Sequence, residues 1–398
     1  ALAWLVVILT ESPEALGLTM TIRFLPALLF SLHGGVLADR LPKRRTLIVT
    51  QSTHLFVALA LAVLTSTDAI TVVLIYTLAG VRGLVDAIVG PARQAFVPEM
   101  VGREDLQNAV ALNSTLFNAA RIAGPAVGAV VISALGGGAD AIAACFYINV
   151  ATYIAVVAAL FAMRASELHV FPRAPHGDSF RQLREGFRYA RSVPEIMAIF
   201  IVMGTIGAFG LNLQTMLPLI TKWVLNAGAS TLSLLTTSMG VGSVVAGLFL
   251  AYRGKPSLRL VLGGAAAFVV LLALMGLTGS KAVMAVLLFA AGVMAVLFMT
   301  TANTRLQTLA PDHLRGRVMG IYILLFIGTI PIGSYLIGAL AEYLPMRADW
   351  RVRTTILIMA GLSAAGVIAG VTYALRARKG SVAQPEPDPA LVEGPSGW

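Results

Sequence analysis

The sequence predicts an all-α, polytopic membrane protein built as two six-helix bundles. Three observations predict it. The first is composition. Of 398 residues, 58% are hydrophobic and only 12% are Asp, Glu, Lys or Arg; a soluble globular chain carries about 25% charged residues. The mean hydropathy of +0.84 says the same. There is too little polar surface to coat a water-soluble globule of this length, so lipid is the solvent for most of the chain. The second is a series of apolar runs of membrane-spanning length. The third is the placing of the cations, which gather in alternate connections between those runs.

A bilayer core of about 30 Å asks for about 20 apolar residues per helix. Runs at 17–38, 46–65, 70–92, 106–133, 141–163, 195–221, 228–252, 258–278, 281–307, 317–341 and 353–375 meet this. Ala1–Leu9 is too short, because nine residues rise only about 14 Å. It is expected to be the end of a first helix truncated at its N-terminus, which brings the spans to twelve.

Of the 29 Lys and Arg residues, 21 lie in one set of alternate connections and five in the other, while Arg23, Arg82 and Arg121 lie inside apolar runs. Cationic connections stay on the cytoplasmic side. Both termini are therefore expected in the cytoplasm. The net charge of +10 has the same origin, and no nucleic-acid partner is expected. One cysteine, Cys145, permits no internal disulfide, and no Cys/His spacing suits a metal. No metal or cofactor is expected.

The longest interruption divides the chain. The expected units are an N-terminal transmembrane bundle over 1–163, a cytoplasmic linker over 164–194, a C-terminal bundle over 195–378 and a disordered tail over 379–398. Within the linker, Ser179 and Gln182 match a capping box. Phe180, Leu183, Phe187 and Ala190 share a helical face, with Arg181, Arg184, Arg188 and Arg191 elsewhere. This pattern predicts an amphipathic helix at the membrane surface. Arg93, Pro98 and Leu106 before one helix are echoed by Arg305, Pro311 and Leu314 before another, a hint of an internal repeat of the kind secondary transporters carry.

Three motifs go further. Gly35-Val-Leu-Ala-Asp39-Arg40-Leu-Pro42-Lys43-Arg44-Arg45 sits between helices 2 and 3. It resembles motif A of the major facilitator superfamily, with Pro42 where Gly is usual. The resemblance implies that Asp39 docks on the N-terminal end of helix 11, where a carboxylate is favoured. It also implies that Lys43 pairs with an acid on helix 4, for which Asp86 is the expected candidate. Gly35, Asp39, Arg40, Lys43 and Arg44 would then form a latch that breaks when the halves rock. Ala120-Arg121-Ile-Ala-Gly124-Pro125-Ala-Val-Gly128 is similar to motif C of the antiporter branches. It forms a small-residue seam that lets helix backbones approach. Gly242, Ser243, Ala246 and Gly247 on helix 8 form a plausible facing seam. Pro311-Asp-His-Leu-Arg315-Gly316-Arg317 and Pro98-Glu-Met-Val-Gly-Arg103 resemble the efflux branch that includes enterobactin exporters and macrolide-efflux proteins.

Arg82 and Asp86 lie four apart on helix 4, so they either neutralise each other or serve proton coupling. A mid-membrane arginine costs at least about 2.5 kcal/mol on insertion scales and faces a cavity or a partner. His33 in helix 2 titrates near neutral pH when unperturbed. Arg23, Asn113, Asn118, Asn212, Gln214 and Asn303 are candidates to line a cavity.

The resemblance implies a proton-coupled secondary exporter, working by alternating access, for lipophilic drug-like or siderophore-like molecules. Its expected place is the bacterial cytoplasmic (inner) membrane, as a monomer, with protons, the lipid bilayer and a small-molecule substrate as partners. A lipid or lysolipid carrier fits an apolar cavity equally well. A non-transporting sensor or scaffold is the reading from another class. No His-Glu-x-x-His, Gly-x-Ser-x-Gly or P-loop occurs in the sequence, which disfavours a membrane enzyme or an ATP-driven pump.

Overall fold

The computed structural model describes residues 1–102, 104–169, 179–253 and 256–382. The side chains of 31–40, and those of scattered positions that include Asn118, Arg121 and Pro125, lie outside that description. The described chain is helical: α1 (Leu2–Thr10), α2 (Pro13–Arg40), α3 (Lys43–Ser66), α4 (Val72–Val101), α5 (Leu106–Ala134), α6 (Ala139–Ala162), α7 (Ser179–Ser192), α8 (Pro194–Thr205), α9 (Leu213–Leu219), α10 (Ala229–Arg253), α11 (Leu258–Leu277), α12 (Lys281–Leu309), α13 (Asp312–Ile327), α14 (Ile330–Tyr343) and α15 (Ala348–Val382). Ten stretches among the described residues are long and apolar enough to cross a membrane.

Two spans are interrupted. One runs from α8 to α9 through π-helical turns at Ile206–Gly210 and Ile220–Val224, with Pro218 inside α9. The other breaks between α13 and α14 at Gly328 and Thr329, where Pro331 opens the second piece. Pro lacks the N–H that an interior turn needs, so it is accommodated at a first turn. Pro26, Pro91 and Pro98 sit within α2 and α4, which run on through them. That continuity corrects the expected end of the fourth span. The helix extends nine residues past the apolar run, to Val101, and carries Glu99 with it.

α2 packs on α4, and α3 on α6 and α4; α10 and α11 pack on α12, and α15 on α8 and α11. Between these groups, α2 packs on α14 and α10 on α5. Several contacts are backbone to backbone. A Cβ on Gly83 of α4 would lie 2.2 Å from the Arg23 carbonyl oxygen of α2. A Cβ on Gly242 of α10 would lie 2.0 Å from that of Phe289 on α12, and one on Gly292 2.1 Å from that of Met239. Small residues are what allow helices in lipid to approach this closely.

α7 is the expected amphipathic helix, and it docks on the protein. Ala190 is buried, Gly186 lies against Arg317 and Ile321 of α13, and Glu185 pairs with Arg317 at 2.5 Å. The hydrogen bond from Arg181, helped by the charge of Arg317, holds the half-buried Glu185 carboxyl below the usual carboxylate range. α15 runs to Val382, past the expected start of the tail; 383–398 lie outside the described residues.

The glycine contacts give a packing prediction. Gly83→Val must push α2 off α4, whereas Gly90→Ala meets no atom within 4 Å. Overpacking of this kind costs roughly 1–3 kcal/mol. Thermal melting of the purified protein should show a clear fall in Tm for the first variant and almost none for the second.

Candidate functional site

The two ends of the bundle differ. At the end marked by Glu11, the α1–α2 connection meets the other half through polar contacts. Lys222 Nζ donates to Glu11 Oε1 at 3.1 Å, Ser12 Oγ to Glu342 Oε2 at 2.8 Å, and Tyr343 OH to Glu14 Oε2 at 2.5 Å. Just inside them, a Cβ on Gly17 of α2 would lie 2.7 Å from the Ser334 carbonyl oxygen and 2.8 Å from Gly338 Cα on α14. The Thr21 hydroxyl donates to the Pro331 carbonyl at 3.1 Å. Here the two backbones touch. Among the described residues, α2 packs far more on α14 than on α13.

At the Lys43 end, Lys43 opens α3 and its Nζ lies 2.8 Å from Glu99 Oε1 on α4. The acid is on helix 4, as the motif-A resemblance implied, but it is Glu99 and not Asp86. The extension of α4 beyond its apolar run brings Glu99 level with the α2–α3 turn. Arg44 caps the end of α6: its Nε donates to Leu160 O at 2.8 Å and its Nη2 to Phe161 O at 3.0 Å. A cation suits the last carbonyls of a helix. Gly35, Asp39 and Arg40 lie in the last turns of α2, which runs to Arg40, so the turn itself is Leu41 and Pro42. Their side chains, like that of His33, are outside the described residues.

Asp86 lies mid-span with other partners. Its Oδ1 is 3.2 Å from His54 Nε2 on α3, and its Oδ2 is 3.8 Å from Arg82 Nε. The His54 ring, 4% exposed, stacks on Tyr153 of α6 with ring centroids 5.6 Å apart. Arg23 of α2 joins this group; its charged neighbours are Arg82 and Asp86. Arg23 Nε, Arg82 Nε and His54 Nδ1 are buried without a hydrogen-bond partner among the described residues. His54 is the residue that sequence reasoning missed. Its only signal was an imidazole within an apolar run.

The remaining candidates separate. Asn212, 2% exposed, does not line a cavity. Its Nδ2 donates to Ala208 O at 2.7 Å, and its Oδ1 accepts from Ser334 Oγ at 3.1 Å. It ties the α8–α9 break to α14. Gln214 and Asn113 are exposed, and Asn303 accepts a hydrogen bond from Gln307 one turn on. The side chains of Asn118, Arg121 and Pro125 are outside the description. Gly124 and Gly128 have open space where a Cβ would stand. α10 does pack on α5, though Gly242 itself lies against Phe289 of α12.

Residues 1–392 match the model of a family described as transmembrane secretion effector. The chain belongs to that family. Its fold is that of the major facilitator superfamily, and it is a transporter rather than an enzyme. It is 28% identical to the staphyloferrin A transporter of Staphylococcus aureus, over 86% of this chain and 84% of that one. It is 25% identical to the multidrug efflux pump Tap of Mycolicibacterium fortuitum, covering 92% and 90%. It is 24% identical to the enterobactin exporter EntS of Salmonella choleraesuis, covering 89% and 84%. Among solved structures, a point mutant of the nucleoside transporter NupG superposes with a TM-score of 0.70 at 14% identity, over 94% of each chain.

The Lys43–Glu99 pair is nearly enclosed, with side chains 14% and 10% exposed. Removing one partner of a buried pair costs about 3 kcal/mol or more. Lys43→Gln and Glu99→Gln should each lower the Tm. The exchange Lys43→Glu with Glu99→Lys should recover much of the loss, which a double-mutant cycle on thermal melting measures.

Proposed function

We propose that this transporter is a secondary active exporter that carries lipophilic drug-like or siderophore-like molecules out of the cytoplasm in exchange for protons. The observation that carries the reading is the one-ended closure of α2 on α14. A backbone contact at Gly17 and Gly338 closes the interface at one end, while among the described residues α2 packs far more on α14 than on α13. The cation bias assigns the Lys43 end to the cytoplasm. The state described is then closed outward, with the substrate path leading from the cytoplasm. The six-helix halves, 1–163 and 195–378, rock about this interface. The breaks in the α8–α9 and α13–α14 spans are where helix pieces reorient.

Three further observations support the reading. The sequence relatives are named for efflux or for transport of staphyloferrin A and enterobactin. A mid-span carboxylate–imidazole contact, Asp86 with His54, supplies groups able to take up a proton. Asp39 stands at the end of α2 where the motif-A resemblance puts a latch, and it forms that latch in the opposite, outward-open state.

The test is accumulation of a panel of fluorescent drugs in a drug-sensitised bacterial host. The chain should lower accumulation, and an uncoupler should abolish the effect. Asp39→Asn should abolish it at equal expression. In a Cys145→Ser background, cysteines at Ser12 and Glu342 joined by a short bifunctional thiol reagent should stop export, and a reductant should restore it. Export unaffected by the cross-link would remove the rocking account. Unchanged accumulation of every drug and siderophore tested would remove the export reading and leave a lipid carrier.

A further inference from the structure

Charge is unevenly divided within the membrane part of the N-terminal half. Its apolar runs hold Arg23, Arg82 and Arg121, and the only acid within them is Asp86. The other acids of that half stand near helix ends or in connections. Asp86 is one carboxylate facing two arginines, Arg23 and Arg82, and cannot neutralise both. Its Oδ1 is engaged by His54 Nε2 at 3.2 Å, and its contact with Arg82 Nε, at 3.8 Å, is too long for a hydrogen bond. Arg23 has Arg82 as a like-charged neighbour. Buried Nε atoms of both arginines have no hydrogen-bond partner among the described residues.

The arrangement is held in place. α2 and α4 touch backbone to backbone where Gly83, next to Arg82, meets the Arg23 carbonyl. Arg23 lies about 15 Å along α2 from Pro13, and Arg82 about 15 Å along α4 from Val72, at 1.5 Å per residue. Both are therefore near mid-bilayer. The group is also reachable. The side chains of Arg82 and Asp86 keep 25% and 39% of their area exposed, while His54 behind them keeps 4%.

A buried guanidinium Nε without a hydrogen-bond partner is costly, and an ionised acceptor is the strongest partner for such a group. We infer that Arg23 and Arg82 form a binding seat for an anionic group, a carboxylate or phosphate, on the transported molecule or on a lipid headgroup. Asp86, in contact with His54, is the counter-charge beside that seat. The inference rests on the export reading and adds the charge of the substrate to it. The energetics agree with export. An anion leaving a negative-inside cell moves down the membrane potential, and a proton entering moves charge in the same sense.

The test is isothermal titration of the purified full chain in phosphatidylcholine nanodiscs. The probes are 2-naphthoate, its methyl ester, 2-naphthyl phosphate and a naphthyl trimethylammonium. The anions should bind, and the ester and ammonium should bind at least roughly tenfold more weakly. Arg23→Gln and Arg82→Gln should each weaken anion binding about tenfold. Arg82→Lys, which keeps the charge if the glutamine variant fails to fold, should retain most of it. Lys281→Gln, a charge loss far from the seat, should change nothing. Phosphatidylglycerol in the nanodisc should compete if the occupant is a lipid headgroup and have no effect if it is a free solute.

Binding of ester or ammonium as tight as the carboxylate would overturn the proposal. So would binding unchanged in a folded Arg23→Gln, Arg82→Gln double variant, or no anion binding together with no effect of phosphatidylglycerol. Export of neutral or cationic drugs with any of these results would leave the export reading standing without the anion seat. Loss of all export would remove that reading whatever the site binds.

Discussion

The contact between Gly17 and Gly338 is the constraint on which the rest of the arrangement turns. Two helices from opposite halves meet there with no side chain between them. Such an approach is strong because many backbone and Cα atoms touch, and it is lost as a unit when the helices tilt. The polar contacts around it, from Glu11 to Lys222 and from Ser12 and Glu14 to Glu342 and Tyr343, are near the water layer. They are individually weak and can exchange for water. A backbone contact ringed by exchangeable hydrogen bonds can close firmly and still open.

Lipid as the solvent sets the second constraint. Near the ends of the helices, cations find partners. Lys43 has Glu99, Arg44 has the last carbonyls of α6, and Arg305 makes a two-pronged contact with Glu195, both bonds at 2.7 Å. Arg353 does for α11 what Arg44 does for α6, donating to Gly276 O and Thr278 O. These are positional devices that hold helix ends in register. The arginines at mid-span differ, since Arg23 and Arg82 keep buried Nε atoms without a hydrogen-bond partner among the described residues. Intramembrane charge of that kind is expensive, and it marks where a transporter handles its cargo.

The sequence showed the fold readily because hydropathy and cation placement are one-dimensional signals. What it hid were contacts across helices. Asp86 looked like the only acid available to Lys43 because the fourth span was taken to end with its apolar run. Proline does not end α4, and Glu99 rides on the extension. His54 finds Asp86 on a different helix, and no local pattern announces that. Asn212 looked like a cavity residue, yet it serves the break between α8 and α9, whose wide turns leave carbonyls for it to bond. The glycines at 124 and 128 carried a recognisable order, but their role depends on what faces them. Motif order alone could not say that Gly242 itself packs on α12 while α10 also packs on α5.

The measurement that bears most directly on the account is a pair of spin-label distances in a Cys145→Ser background. One pair, at Glu14 and Tyr343, spans the end that Gly17 closes. The other, at Met100 and Thr308, spans the opposite end. The account predicts that conditions driving turnover lengthen the first distance and shorten the second in the same population. Two distances that stay fixed, or that change in the same direction, would contradict it.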